Sequence, residues 1–225
     1  MSHKITVIIP TFNEEKNITQ VLEDVKPYVD EILVVDAKKS TDKTADIAKS
    51  MGAKVVKDSG KGHGEAKRIG IDEAKHDILV FFDADQSHDA KDIPKMVKHL
   101  IDNNYDLVIG SRMRGGSDEL HGTLSNFIRN TGSGLIQLVI NYRFDVFLTD
   151  CEDGFRAIKK DVAQKLNLNA TDFDIEEEML IKTLKKGYKV GEIPTHEYER
   201  KHGKSNLSLV KIGYKFVWRL LREII

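Results

Sequence analysis

Two patterns of apolar residues alternate along the first half of the chain. Thr6-Val7-Ile8-Ile9, Ile32-Leu33-Val34-Val35 and Ile78-Leu79-Val80-Phe81-Phe82 are apolar or β-branched without interruption, as expected of parallel strands covered on both faces. With two further β-rich runs they predict strands at Lys4 to Pro10, Glu31 to Asp36, Ala53 to Lys57, Asp77 to Asp83 and Asp106 to Ser111. Between them apolar residues return every three or four positions, at Ile18, Val21, Leu22 and Val25, at Thr44, Ile47, Ala48 and Met51, and at Ile93, Met96, Val97 and Leu100. That spacing predicts helices with one stripe against a sheet. Strand and helix in repeated succession predict an α/β fold, a mostly parallel, doubly wound sheet flanked by helices, up to about Ser111.

Beyond Ser111 the pattern predicts a glycine- and charge-rich loop from Arg112 to Gly122, then a mixed helix from about Leu124 to Ile140. A strand near Phe155 to Ile158, a helix around Ile175 to Lys186 and a strand near Lys189 to Pro194 follow. From Leu207 to Ile225, aliphatic residues and Trp218 are interspersed with Lys211, Lys215, Arg219 and Arg222. This suits either an amphipathic helix at a membrane interface or one packed on the core. Nothing resembling a linker or a repeat divides the chain, so one domain over residues 1–225 is expected.

The chain has 225 residues, 40% hydrophobic and 32% charged, which is enough for a buried core. A formal net charge of −1 removes the general electrostatic case for nucleic-acid binding. The single cysteine, Cys151, cannot form an internal disulfide, and the first residues lack the apolar run of a signal peptide, so a reducing cytoplasm is expected. No window reaches the roughly 18 apolar residues needed to cross a bilayer.

Ligands of open parallel sheets collect at the carboxyl ends of the strands. Those ends read Pro10-Thr-Phe-Asn-Glu14, Asp36, Asp83-Ala84-Asp85 and Gly110-Ser-Arg112. Asp83 and Asp85, delivered together by an apolar run, repel each other unless a cation joins them. Mg²⁺ or Mn²⁺ bridging to a diphosphate would relieve the repulsion and neutralise charge on a departing nucleoside diphosphate; turn or cap aspartates are the plain alternative. Asp36 reads either as a nucleotide contact or as a helix cap. Three glycines within Gly60-Lys-Gly-His-Gly64, ahead of a helix starting near Glu65, would let the backbone approach an anion at a helix amino terminus.

Joined to Val7-Ile-Ile-Pro-Thr-Phe-Asn-Glu-Glu15, Ser40-Thr-Asp-Lys-Thr44, Asp153-Gly-Phe-Arg-Ala157 and Gly203-Lys-Ser205, these motifs resemble the family 2 glycosyltransferases of the GT-A, Rossmann-like fold. The resemblance covers nearly the whole chain and is strongest to dolichyl-phosphate mannose synthases and archaeal dolichyl-phosphate sugar transferases. It implies inverting transfer of a hexose or N-acetylhexosamine from GDP-mannose or a UDP-sugar to dolichyl or polyprenyl phosphate. It further implies that Asp83 and Asp85 hold Mg²⁺ or Mn²⁺ and that Pro10, Asn13, Glu14 and Asp36 line the base and ribose pocket. Lys61, Asp83 and Ala84 complete the donor site. Arg112, Arg129 and Ser133 resemble the family's lipid-phosphate contacts, with Asp85, Arg112 and Arg129 as the catalytic set. Arg200 and Lys201 look like a basic loop closing over the phosphates. Residues 1–111 would then be the nucleotide-sugar half, 112–206 the acceptor half and 207–225 a membrane-interface helix. Two departures stand out. Asp36-Ala37-Lys38-Lys39-Ser40 replaces the family's common Asp-Asp-Gly-Ser, and Ser87 stands where mannose synthases often carry a glutamine, leaving water or Gln86 to complete a metal shell.

A phosphate monoester is largely a dianion at neutral pH and needs little help from a base. Arginine forks match its geometry, so Asp150→Asn and Glu152→Gln are expected to leave substantial activity on such an acceptor. A sugar hydroxyl acceptor, as in oligosaccharide or polysaccharide synthesis, would instead need a carboxylate base from Asp150, Glu152 or Asp153. The altered segment after Asp36 also admits a non-catalytic nucleotide-sugar binder. The apolar run Ile136 to Ile140 and the Trp218 helix point to the cytoplasmic face of a membrane, with room for a small membrane-anchoring partner or a homo-oligomer.

Overall fold

The computed structural model describes residues 3–119, 124–201 and 209–224, with side chains described in these except at 124–129 and 209–212. Seven strands, β1 (Ile5–Thr11), β2 (Glu31–Asp36), β3 (Lys54–Lys57), β4 (Ile78–Phe81), β5 (Leu107–Ser111), β6 (Arg156–Lys159) and β7 (Val190–Pro194), form one sheet in the order β3-β2-β1-β4-β6-β5-β7. β1 pairs in parallel with β2 and β4, β2 with β3, and β5 with β7. β6 runs antiparallel to both neighbours, β4 and β5. The other six strands therefore end on one edge of the sheet, and the chain enters β6 from that same edge. The predicted strands are all present within a residue or two of their expected limits; the reversed direction of β6 is the addition.

Alternation along each strand sends successive side chains to opposite faces. One face buries Val7, Ile9, Val34, Val80 and Val108 against α1 (Ile18–Val25) and α4 (Asp92–Asp102), with α2 (Thr44–Ser50) contributing Ala48. The other buries Ile8, Leu33, Leu79, Leu107 and Ile158 against α3 (His63–Glu73), α6 (Leu124–Phe144), α7 (Lys160–Lys165) and α8 (Ile175–Lys185). Burial on both faces is the reason those strands read as unbroken apolar runs. The loop expected after Ser111 opens instead with a short helix, α5 (Arg112–Gly115), because Ser111 caps it by accepting a hydrogen bond from the Arg114 amide at 3.3 Å.

The last helix, α9 (Leu209–Ile224), divides its faces. Phe216, Leu220 and Ile224 pack on the second core, and Arg219 is buried in ion pairs with Asp174 at 2.7 Å, Glu178 at 3.2 Å and Glu223 at 3.3 Å. Tyr214, Val217, Trp218 and Leu221 stand 65%, 51%, 65% and 48% exposed. The helix thus packs on the protein's own core through one face while an apolar face stays uncovered. Among the described residues no helix is long and apolar enough to cross a membrane.

Candidate active site

A cleft of about 2130 Å³ opens along the strand-end edge and reaches from the loops after β1, β2 and β3 to α6 and α9. Pro10, Glu14, Lys61, Asp83, Ala84, Asp85, Arg112, Ser133 and Arg200 all line it.

At the β1–β3 end the loops are tied to one another. The Ala37 amide donates to the Thr11 carbonyl at 2.9 Å, and the Asp58 amide to the Asp36 carbonyl at 3.1 Å. Asn13, at φ 57°, accepts from the Thr41 amide at 2.8 Å and donates its own amide to Ser40 Oγ at 3.2 Å. Its side chain joins two loops and is not among the cleft-lining groups. Asp36 is fully buried behind the lining, accepting from Thr11 Oγ1 at 2.9 Å, Ser40 Oγ at 2.8 Å and the Lys57 ammonium. The reading of Asp36 as a base or ribose contact is corrected accordingly, since its oxygens are spent inside the protein. Burial, reinforced by the charge on Asp85 and partly offset by the hydrogen bond from Asn17, pushes Glu14 up to about 7.

The glycine-rich segment is also corrected. Gly64 and Glu65 donate their amides to the Thr171 carbonyl at 3.0 and 3.4 Å, and the Lys61 amide donates to the Glu65 carboxylate at 3.0 Å. A Cβ on Gly64 would lie 2.7 Å from the Asp172 carbonyl oxygen and 2.8 Å from that of Ala170. These glycines let α3 press against the 170–172 backbone, and the Gly64 and Glu65 amides at the helix start are already engaged there.

Beyond β4, Phe82 is buried edge-on to Phe155, with centroids 5.4 Å apart, and this anchors the turn that carries Asp83 and Asp85 into the cleft. Asp83 faces His88 at 3.4 Å, and His88 in turn faces Asp153 at 3.8 Å. Burial opposes ionisation of Asp83, yet the hydrogen bond from His88 and the charge on buried Lys67 hold it well below the usual carboxylate range. Burial likewise opposes the His88 cation, and the Asp153 and Asp83 carboxylates outweigh it, raising the ring to about 9. Asp85 is met by the Arg200 guanidinium at 3.2 Å, which also reaches Glu119 at 3.3 Å. Arg200 therefore bridges one of the strand-end carboxylates and Glu119 at the cleft wall. Lys201 is exposed beside it.

The donor set fits a divalent cation. Two carboxylates stand in a cleft wall with protein cations, the His88 ring and the Arg200 guanidinium, drawn to each of them. Among the described residues no three His, Cys, Asp or Glu side chains converge as a complete metal cage. Mg²⁺ and Mn²⁺ characteristically take one or two protein carboxylates and complete their shell with substrate phosphate and water.

Across the cleft, Arg112 Nε and Nη2 meet Asp150 Oδ2 and Oδ1 at 2.7 and 2.9 Å, and Nη1 lies 3.4 Å from Glu197. Ser133 donates to Glu152 at 2.6 Å. The side chain of Arg129 and the Gly203-Lys204-Ser205 motif lie outside the described residues. The wall continues into apolar residues of α6 and α9, namely Leu135, Ile136, Val139, Phe216, Val217 and Leu220.

Sequence reading missed a buried polar layer beneath the carboxylates. Lys67, 1% exposed, pairs with Glu176 and lies 3.4 Å from the Gly154 carbonyl. His63, one helical turn before Lys67, stacks on Phe173 and lies 3.6 Å from Glu176. Burial opposes the Glu176 charge, but Lys67 and His63 hold it at about 2. Burial lifts Asp153 to about 6. The available signal was the i, i+4 spacing of His63 and Lys67, which puts both on one helix face.

A family model described as Glycosyl transferase family 2 matches residues 6–166. The UDP-N-acetylglucosamine–dolichyl-phosphate N-acetylglucosaminyltransferase of Methanococcus voltae is 29% identical over 96% of this chain and 94% of its own length. The dolichol-phosphate mannosyltransferase of Pyrococcus furiosus is 32% identical over 98% of this chain, which spans 62% of that relative. In three dimensions the chain superimposes with TM-score 0.75 on glucosyl-3-phosphoglycerate synthase from Mycobacterium tuberculosis, solved with Mn²⁺, uridine diphosphate and glucosyl-3-phosphoglycerate. At 23% identity, over 99% of this chain and 80% of that one, this is a likeness of fold.

Proposed function

The chain belongs to glycosyl transferase family 2, and on that premise we propose that it transfers a sugar from a nucleotide-sugar to a dolichyl- or polyprenyl-type lipid phosphate. The observation that carries this reading is the composition of the cleft from end to end. Paired carboxylates occupy its middle, a carboxylate-held arginine stands opposite, and α6 and α9 extend it as an apolar lane. A polar headgroup on a long hydrocarbon tail fits that sequence of surfaces, and the activities that name the Methanococcus voltae and Pyrococcus furiosus relatives agree with it.

In this scheme Asp83 and Asp85 hold Mg²⁺ or Mn²⁺, which when bound would stabilise the charge on the departing diphosphate. Lys67, His63 and His88 keep Asp83 ionised from beneath. Pro10, Glu14, Lys61 and Ala84 line the donor side. Arg112, fixed by Asp150 and Glu197, aligns an acceptor phosphate that is already a dianion, so positioning supplies most of the catalysis. Arg129 and Ser133 belong to the same acceptor wall, and Arg200 and Lys201 to the segment over the phosphates. Residues 1–111 and 112–206 act as one unit, because the strands of both share a single sheet.

The uncovered residues of α9, with Leu135, Leu138, Val139 and Tyr142 of α6 at 42% or more exposure, form the face by which the enzyme would rest on the cytoplasmic leaflet. Incubation of the purified protein with Mn²⁺, UDP- and GDP-sugars and one polyprenyl phosphate, with products read by mass, tests the proposal. A glycosyl-phospholipid is the expected product. Transfer to a sugar hydroxyl, or no lipid product from any donor, would overturn it.

A further inference from the structure

The sequence lacks a carboxylate at position 37, where the family commonly carries one, and the structure supplies another from the neighbouring strand. Asp58 follows β3 immediately, is 7% exposed and lines the cleft with Ala37. Its Oδ1 accepts two backbone amides, from Lys38 at 2.7 Å and Gly60 at 2.8 Å. The first of these ties it to the loop that carries Ala37. With both lone-pair directions of Oδ1 filled, the carboxylate is fixed in orientation and Oδ2 is left, without a partner among the described residues, as a single anionic acceptor. Asp36, at the end of the adjacent strand, is sequestered by Thr11, Ser40 and Lys57, and Glu14 lies after β1, farther across the sheet from β3.

Position sets what Oδ2 can meet. β3 lies three strands from β4 in the sheet order, about 14 Å at the usual strand spacing. A nucleoside whose diphosphate sits at Asp83 and Asp85 would extend its base in this direction. Guanine presents two adjacent donors, N1–H and N2–H, which a carboxylate with both oxygens free would take together. Uracil presents one, N3–H, and cytosine presents a bare acceptor at that atom. A carboxylate with one oxygen already saturated matches the single donor.

We propose that Asp58 reads the imino N–H of the donor's base and selects uridine nucleotides, making a UDP-sugar the substrate. This rests on the nucleotide-sugar reading above and narrows it.

Calorimetric titration with UDP, GDP, CDP and N3-methyl-UDP, each with Mn²⁺, tests it. A hydrogen bond to a charged group that is lost leaves a penalty worth roughly ten- to a hundredfold in affinity. UDP is therefore expected to bind at least about tenfold tighter than GDP, CDP or N3-methyl-UDP. In Asp58→Asn the amide oxygen would keep the two backbone amides and turn the NH₂ towards the base. UDP should then weaken about tenfold and CDP should overtake it. Equal binding of UDP and N3-methyl-UDP by the wild type, or equal losses for all bases in the variant, would remove Asp58 from base recognition while leaving the transfer reading standing. If the wild type bound none of the four, the nucleotide-sugar reading and this inference would both fall. The methylated ligand decides the question on unmodified protein even if the variant does not fold.

Discussion

Arg112 and Asp150 meet side-on through two parallel hydrogen bonds, 2.7 and 2.9 Å long. Asp150 also accepts the Arg112 amide at 3.2 Å and the Glu152 and Asp153 amides at 3.1 and 3.2 Å. One carboxylate therefore shapes the acceptor-side turn and aims the arginine. Sequence alone favoured tolerance of Asp150→Asn on a phosphate acceptor. The contacts reverse that expectation, since an amide cannot accept on both sides. Asp150→Asn should lower kcat/KM for polyprenyl phosphate at least about tenfold, and Arg112→Ala about a hundredfold. Donor affinity, measured by titration with nucleotide and Mn²⁺, should stay unchanged in both.

Asp83 and Asp85 are each already met by a protein cation, so Mn²⁺ without nucleotide should bind weakly, and nucleotide should strengthen it. Asp83→Asn or Asp85→Asn should abolish the nucleotide-dependent part, measured by electron paramagnetic resonance of free Mn²⁺. Chelation should stop transfer and added Mn²⁺ should restore it. Arg200→Gln removes the competitor on Asp85 and should tighten metal binding by at most about fivefold, the scale of a partly exposed ion pair.

Glu177 on α8 is fully buried, and neither carboxylate oxygen has a hydrogen-bond partner among the described residues. Burial, with the nearby charges of Glu152 and Asp174, raises it from 4.5 to about 9. At pH 7 it is ionised in the unfolded chain and protonated in the folded one. The stability it allows below about pH 4.5 is therefore lost progressively as pH rises towards 9. Glu177→Gln should stabilise the protein by on the order of 3 kcal/mol at pH 7. The gain in Tm, followed by thermal melts across pH, should vanish near pH 4.5.

Trp218 and Leu221 lie on the uncovered face of α9, on either side of buried Arg219 in the sequence. The double substitution Trp218→Ser and Leu221→Ser should reduce co-sedimentation with phospholipid vesicles several-fold and leave Tm within a few degrees of wild type. Arg219→Ala should do the reverse, because it takes the shared cation from Asp174 and Glu223 and leaves Glu178 only the Lys182 cation. Vesicle binding unaffected by the double substitution would return the face to an ordinary surface.

The strands were legible because burial on both sides of the sheet writes itself as unbroken apolar runs, and α1 and α4 because burial on one side writes itself as a stripe. That Asp83, Asp85 and Arg112 would line the cleft was legible because they follow strands at the end of the sheet where ligands of open sheets collect. Asp36 closes a strand too, but whether a carboxylate faces the cleft or its own loop depends on Thr11 and Ser40, whose hydroxyls arrive from elsewhere in the chain. Gly62 and Gly64 misled for a related reason: glycine marks close approach without saying to what, and here the neighbour is the 170–172 backbone. The run Glu176-Glu177-Glu178 looks like a solvated face, yet all three are buried, Glu176 against Lys67 and Glu178 against Arg219, both distant in sequence. No local pattern announces them.

The reversed strand has a consequence for how the molecule comes into being. β4 takes one neighbour, β1, from residues made before it, and the other, β6, from residues made about 75 to 80 positions later. Until Arg156 to Lys159 emerges from the ribosome, that edge of β4 is a bare row of amides and carbonyls, the kind of template on which nascent chains stick to one another. A chain ending at Ser111 would carry Asp83 and Asp85 on a half-clothed strand, and precipitation is its expected fate. The two walls of the cleft thus share one sheet only once a late strand slides in between β4 and β5 against the grain.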